Sequence, residues 1–245
     1  MAVTTLSDKP VYQRILLKLS GEAFCKPGGF GIEGSELERI AKEVAAVVRS
    51  GTQVAIVVGG GNFLRGTSFA KTSHIPAATA HYMGMLATVL NALALQEMLE
   101  QLGLETRVQS SIAIAAACEP FIRRRCIRHL EKNRVVILAA GTGRPFVTTD
   151  TAAALAAVEI NAGALLKATK VDGVYTADPF ENPDAQMFTE LTYNEVINRR
   201  LKVMDVAAID LCQQNHVPII VFNLAVAGLM SRVVRGENVG TKVSD

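Results

Sequence analysis

No apolar run in this chain reaches the roughly 18 residues that a membrane-crossing helix requires. The longest candidate, residues 110–118, is half that length and rich in alanine. The first residues, MAVTTLSDKPVYQR, lack the basic-then-apolar order of a secretory leader, so a cytoplasmic protein is expected. The four cysteines, Cys25, Cys118, Cys126 and Cys212, are widely separated with no CxxC spacing, and the four histidines form no close pair. A structural metal is therefore not expected, and the thiols read as reduced packing residues. A net charge of +2 supplies no global field for nucleic acid or an anionic membrane. GxxxxGK(S/T) does not occur, which excludes a P-loop enzyme. GxGxxG occurs at residues 29–34, but inside a Gly/Pro-rich loop and not directly after a strand, which weakens a dinucleotide-binding reading. Internal repeats and low-complexity linkers are absent as well.

What is present is ordinary for a globular chain. Of its 245 residues 49% are hydrophobic and 20% charged, enough for a sizeable core. A flexible segment over residues 1–10 followed by one domain over residues 11–245 is expected.

The chain is organised around residues 55–66, AIVVGGGNFLRG. Four apolar residues suit a buried strand. Gly59, Gly60 and Gly61 follow at once, where backbone amides can approach a ligand with no Cβ in the way. In open α/β sheets that strand end is where ligands sit, and Arg65 could fork onto a phosphate. The stretch alone also fits a plain glycine-rich strand-to-helix connection.

Other elements fall into place around it. Residues 12–19 (YQRILLKL) read as the first strand, ending at Lys18, Ser20 and Gly21. A helix with a capping box of Ser35 and Glu38 follows and closes at Gly51. Strand two is residues 53–58, so a βαβ unit and a parallel sheet are implied. Helical spacing covers residues 79–102, 120–131, 151–161, 192–198 and 204–214. Further strands are expected over residues 106–110, 134–140, 164–167 and 217–224. The basic face of 120–131, with Arg123, Arg124, Arg125 and Arg128, reads as solvated. The fold class is α/β, with four strand ends carrying ligand chemistry: Lys18 to Gly21, Gly59 to Arg65, Gly141 to Asp150 and Thr169 to Asp178. Glycines, cations, hydroxyls and aspartates are what phosphoryl transfer needs, since its catalysis is mostly positioning and charge stabilisation.

Seven ordered segments, LLKLSGEAF, VVGGGNFLRG, YMGMLATV, AAGTGRPFVTTDTAA, LKATKVDGVYTADP, LTYNEV and LKVMD, resemble the amino-acid-kinase fold family, and within it the bacterial uridylate (UMP) kinases. The resemblance implies a three-layer αβα sandwich around a mostly parallel sheet, and transfer of the γ-phosphoryl of ATP to UMP with Mg²⁺. Lys18, Leu19, Ser20 and Gly21 would hold ATP phosphates, with Lys18 neutralising the group in flight. Gly61 and Arg65 would face ATP, and Thr169, Tyr175 and Asp178 its nucleoside end. Gly60, Thr142, Gly143, Arg144, Pro145, Phe146, Val147, Thr148 and Thr149 would line the UMP site, joined by His81. Asp150 would orient the catalytic cations, and Asp205 would support the centre. Lys26, Pro27, Gly28, Gly29, Phe30 and Gly31 match a segment tied to activation by GTP; homohexamers and inhibition by UTP are also implied.

Three positions depart from the family pattern. His81 stands where an aspartate usually holds the ribose hydroxyls, Arg144 replaces the asparagine of GTGNPF, and Gly163 replaces an aspartate. Two alternatives follow: a kinase of the same fold with another acceptor, or a nucleotide-binding regulator without catalysis. Lys18, Arg65 and Asp150 together speak against the second, because binding alone does not need all three.

Overall fold

In the first strand, β1 (Arg14–Leu19), every residue after Arg14 is buried, including Lys18. The computed structural model describes residues 9–64 and 74–245; the expected flexible segment thus lies almost wholly outside the described residues. Helix α1 (Gly34–Arg49) leads back to β2 (Gln53–Val58), which pairs in parallel with β1. Helix α2 (Ala77–Gln101) then precedes β3 (Thr106–Ser110), the two-residue β4 (Glu119–Pro120), α3 (Arg123–Glu131) and β5 (Val135–Ala139). The alanine-rich α4 (Thr149–Glu159) and β6 (Ala164–Thr169) follow. A small hairpin pairs β7 (Val174–Tyr175) with β8 (Met187–Phe188). The chain ends with β9 (Glu190–Thr192), α5 (Tyr193–Asn198), α6 (Val206–Gln214), β10 (Ile219–Asn223), α7 (Leu229–Val234) and β11 (Thr241–Ser244).

Nine strands form one sheet in the order β4-β3-β5-β2-β1-β6-β10-β11-β9. Only the β10–β11 pairing is antiparallel. The central strands are apolar throughout because both faces are covered. Ile15, Leu17, Val54, Ile56 and Ile137 pack on one side with α1, α2 and α7; Leu16, Ala55, Val57, Val136 and Leu165 pack on the other with α3 to α6. This is the three-layer α/β arrangement that was expected. Alanines 152, 153, 154, 156 and 157 are buried, and their small size lets α4 lie close against β1 and β2.

Several local expectations need correcting. Ser35 does not cap α1: the helix starts at Gly34 with Glu33 before it and no side-chain cap. Glu33 is drawn off by Lys26, whose backbone N–H and ammonium both reach its carboxylate. A true capping box forms instead at Thr192 and Glu195. Pro120 belongs not to a helix but to β4, on the edge of the sheet, where its missing N–H is tolerated. Helix α2 is long and apolar enough, by length and composition, to cross a membrane. It nevertheless packs against the sheet through buried Val89, Ala92, Leu95 and Leu99, which makes it a core helix of the sandwich.

Candidate active site

The C-terminal ends of β1, β2, β5 and β6 lie side by side, and the chain leaves each through a turn that carries polar chemistry. At the centre are two lysines. Lys18 and Lys167 are directly opposite one another across the parallel β1–β6 pair, which brings two like charges together and is unfavourable by itself. Both follow the strand alternation onto the α4 side, where Asp150 stands in the first turn of that helix. Lys18 Nζ lies 2.8 Å from Asp150 Oδ1, and Lys167 Nζ donates to Oδ2 at 3.0 Å. Lys167 also donates to the Val203 carbonyl. One carboxylate thus bridges a buried and a partly buried cation, and the helix N-terminus adds a favourable field.

Burial pushes the Asp150 carboxyl up, but Lys18 and Lys167 outweigh it and hold it below the usual carboxylate range. Burial lowers the Lys167 ammonium, with Asp150 opposing that effect. A charged group this deep persists only with partners at hydrogen-bond distance.

Asp205 plays a different part from the lysine-bearing group. It is the N-cap of α6, where Oδ1 accepts from the Ala208 N–H at 3.0 Å and from the Thr151 hydroxyl at 2.8 Å. Thr148, itself the N-cap of α4, donates to its other oxygen. Asp205 therefore ties together the N-termini of α4 and α6 and so steadies the turn that carries Asp150.

The glycine loop after β2 is shaped by close approach. A Cβ at Gly60 would lie 2.6 Å from the Gly84 carbonyl oxygen of α2, and one at Gly59 2.8 Å from the Gly21 nitrogen. Gly21 itself leaves only 2.3 Å between a Cβ and the Gly61 nitrogen. The turns after β1 and β2 therefore interlock at backbone distance, which only glycine permits. Gly61 faces open space. Arg65 lies outside the described residues.

A cavity of about 450 Å³ opens beside this seam, within the range of small-molecule sites. Gly60, Gly61, His81, Thr142, Arg144, Phe146, Val147, Thr148 and Thr149 line it, with Leu64, Ala80, Gly84, Met85, Thr88 and Gly141. Eight of the ten positions expected on the acceptor side are thus brought together; Gly143 and Pro145 belong to the same loop but do not line the cavity. Gly143 adopts φ 71°, and Phe146, at φ 67°, is held in the left-handed region. Its exposed ring packs against His81 with centroids 4.9 Å apart.

Lys18, Ser20, Thr169, Tyr175 and Asp178 do not line that cavity. Leu19 ends β1, and Thr169 ends β6 with its hydroxyl 2.7 Å from the Val171 carbonyl oxygen. Tyr175 lies in the β7–β8 hairpin, and Asp178 accepts from the Phe180 N–H in an exposed turn. In the loop of Lys26, Pro27, Gly28, Gly29, Phe30 and Gly31, the Gly31 N–H donates to the Asn62 carbonyl at 3.0 Å, and Phe30 meets Phe63 edge to face. This loop touches the glycine turn rather than standing apart from it. Gly163 lies at the opposite end of the sheet, its N–H bonded to the Arg14 carbonyl, so that departure does not reach the cavity.

Sequence reasoning missed Lys167. A signal was there: β1 reads LLKL and β6 reads LLKA, each with a lysine at the same depth in an otherwise apolar strand. The buried partners Asn62, Thr88 and Asn91 were missed as well.

With this geometry in place, comparisons with known proteins are informative. The amino acid kinase family pattern matches residues 13–223. The chain is similar to the crystal structure of UMP kinase from Bacillus anthracis at 41% identity and TM-score 0.92, covering 96% of each chain. It is similar to UMP kinase from Ureaplasma parvum at 34% identity and TM-score 0.89, over 95% of this chain and 99% of that one. Uridylate kinase from Archaeoglobus fulgidus matches at 27% identity and TM-score 0.72, over 94% and 99%.

Proposed function

The chain belongs to the amino acid kinase family, and from that premise we infer that it is a UMP kinase, transferring the γ-phosphoryl of ATP to UMP. The observation that carries this reading is the likeness to the Bacillus anthracis UMP kinase over 96% of both chains at 41% identity. The site is what the reaction needs. The acceptor is a phosphate oxygen that is already anionic, so no side chain has to remove a proton from it. The new bond joins that oxygen to the γ-phosphorus; the bond to the bridging oxygen breaks, and its electron pair leaves with ADP. The protein's task is to hold two anions in line and to stabilise charge on the moving group.

In this mechanism Lys18 neutralises the transferring phosphoryl, and Asp150 aims Lys18 with Lys167 balancing the carboxylate. Lys18, Leu19, Ser20, Gly21, Gly61 and Arg65 serve the ATP phosphates, and Thr169, Tyr175 and Asp178 the nucleoside. The 450 Å³ cavity takes UMP, with Gly60 and Gly61 at the boundary between the two ligands. Mg²⁺ enters as part of the substrate, Mg·ATP. Among the described residues no group of three His, Cys, Asp or Glu could hold an ion, and both Asp150 oxygens are engaged by lysines. The phosphates and water are therefore its natural ligands.

The finer proposals concern setting and control. We place the enzyme in the cytoplasm, supplying UDP for pyrimidine nucleotide synthesis. A homohexamer is supported by the stripe Tyr82, Leu86 and Leu90 on α2, whose exposures of 43%, 50% and 51% leave large apolar surface to cover. GTP activation is proposed through the Lys26 to Gly31 loop, given its backbone bond to Asn62, and UTP inhibition through the acceptor cavity. The test is purified protein with Mg·ATP and a panel of nucleoside monophosphates, following ADP release. UMP should be the preferred acceptor. Turnover with another acceptor but none with UMP would overturn the assignment and favour the reading that His81 and Arg144 mark a different substrate.

A further inference from the structure

Helix α2 carries two buried polar side chains that face the two glycine loops, one helical turn apart. Asn91, fully buried, donates to the Gly59 carbonyl at 2.7 Å, behind the loop after β2. It also forms a head-to-tail amide pair with Asn62, each Nδ2 donating to the other's Oδ1 at 2.8 and 2.9 Å. Asn62, 3% exposed, uses its remaining N–H on the Gly31 carbonyl at 2.7 Å. Three residues earlier on the same helix, the Thr88 hydroxyl accepts from the Ala140 N–H at 2.7 Å and donates to the Met85 carbonyl. Ala140 opens the acceptor loop and is held at φ 63°, a conformation that costs a non-glycine residue energy.

We propose that Thr88 and Asn91 form a ruler: they are positioning residues that fix the donor-side and acceptor-side glycine loops relative to one another. The inference rests on the phosphoryl-transfer reading above. Val and Leu would fill the same space but would leave the Ala140 N–H and the Gly59 carbonyl without their partners. What Val and Leu cannot supply is a directed bond to each loop. Along the helix axis the two anchors are separated by about 4.5 Å, a fixed spacing that a flexible loop-to-loop contact would not give. Gly60 closes the arrangement, because α2 packs on it with no room for a Cβ. In-line transfer is sensitive to such spacing, as a displacement of about 1 Å can cost about a hundredfold in rate.

The test compares Thr88→Val, Thr88→Ser, Asn91→Leu and Asn62→Ala with the wild type, using steady-state kinetics and thermal melts. Thr88→Val should lower kcat about tenfold and raise the KM for UMP more than that for ATP, while Thr88→Ser recovers to within about threefold. Asn91→Leu should lower kcat about tenfold and weaken Mg·ATP binding, with a lower melting temperature as well, because the Gly59 carbonyl and the Asn62 amide lose their buried partner. If Asn91→Leu fails to fold, Asn62→Ala removes the same amide pair from the loop side and should show the same kinetic change. The ruler is overturned if Thr88→Val and either asparagine variant stay within threefold of wild type, or if Thr88→Ser is as impaired as Thr88→Val. A wild type inactive toward UMP refutes the substrate reading instead; calorimetric dissociation constants for Mg·ATP then decide the ruler, unchanged values in the asparagine variants overturning it.

Discussion

Replacing Asp150 by asparagine is the most revealing perturbation of this protein, because it keeps the shape of the side chain and removes only its charge. Asp150 bridges Lys18 at 2.8 Å and Lys167 at 3.0 Å, and the exposures of the three side chains are between 11% and 17%. Without the carboxylate two cations remain side by side and largely out of water. A pair of unit charges near 4 Å interacts by about 4 kcal/mol at an effective dielectric of 20, and breaking a buried pair costs about 3–5 kcal/mol. Lys167 can shed part of that cost by losing its proton, since burial already lowers its pKa, so the lower end of the range is expected. For a domain of this size about 3 kcal/mol corresponds to a fall in Tm of roughly 6–12 °C. The pH dependence supplies an internal check. The folded-state pKa of Asp150 is depressed, so its contribution is fully present above the ordinary carboxylate pKa. It is lost as pH falls through the depressed value. The gap in stability between wild type and Asp150→Asn should therefore be constant near neutrality and shrink in acid. Calorimetric melts from pH 7 downward measure it. A variant within about 1 kcal/mol of wild type at pH 7, or a gap that persists unchanged into strong acid, would refute the bridging role.

Lys18→Ala should reduce kcat by about a hundredfold or more with little change in Tm, because Asp150 keeps Lys167 at 3.0 Å; a rate within threefold of wild type means Lys18 does not meet the moving phosphoryl. His81→Asp should lower the KM for UMP by restoring two acceptor oxygens at a position that lines the cavity. An unchanged or higher KM in steady-state assays would show that the contact between His81 and Phe146 has rebuilt the pocket. Leu86→Glu combined with Leu90→Glu should reduce the assembly size seen by light scattering, since both residues are half exposed on α2; an unchanged mass would place the subunit interface elsewhere.

The sequence by itself determined the α/β order of strands and helices, because hydrophobic periodicity is a local property that survives without knowledge of partners. Short apolar runs rich in β-branched residues, such as QVAIVV and VVILA, suit strands covered on both faces, and both are. The glycines, Lys18 and Asp150 at their ends were legible for the same reason: Gly59, Gly60 and Gly61 follow β2 in the chain, and Lys18 is the penultimate residue of β1. Errors fell where a local signal lost to a distant partner. Ser35 and Glu38 have capping-box spacing, yet Glu33, engaged by Lys26, precedes the helix. Asp205, expected to support the centre, spends its oxygens on Thr148, Thr151 and Ala208, partners that no local signal names. Tertiary structure alone decided which charges meet. Lys167 follows Lys18 by most of the chain's length, and only the parallel register of β1 with β6 sets them opposite each other, with α4 delivering Asp150 between them. In the same way Asn91 reads as one polar residue within an apolar helix until the fold lays α2 behind the glycine loop. Spacing along the chain encodes which way a side chain points; which charge or carbonyl it finds there depends on how distant segments pack.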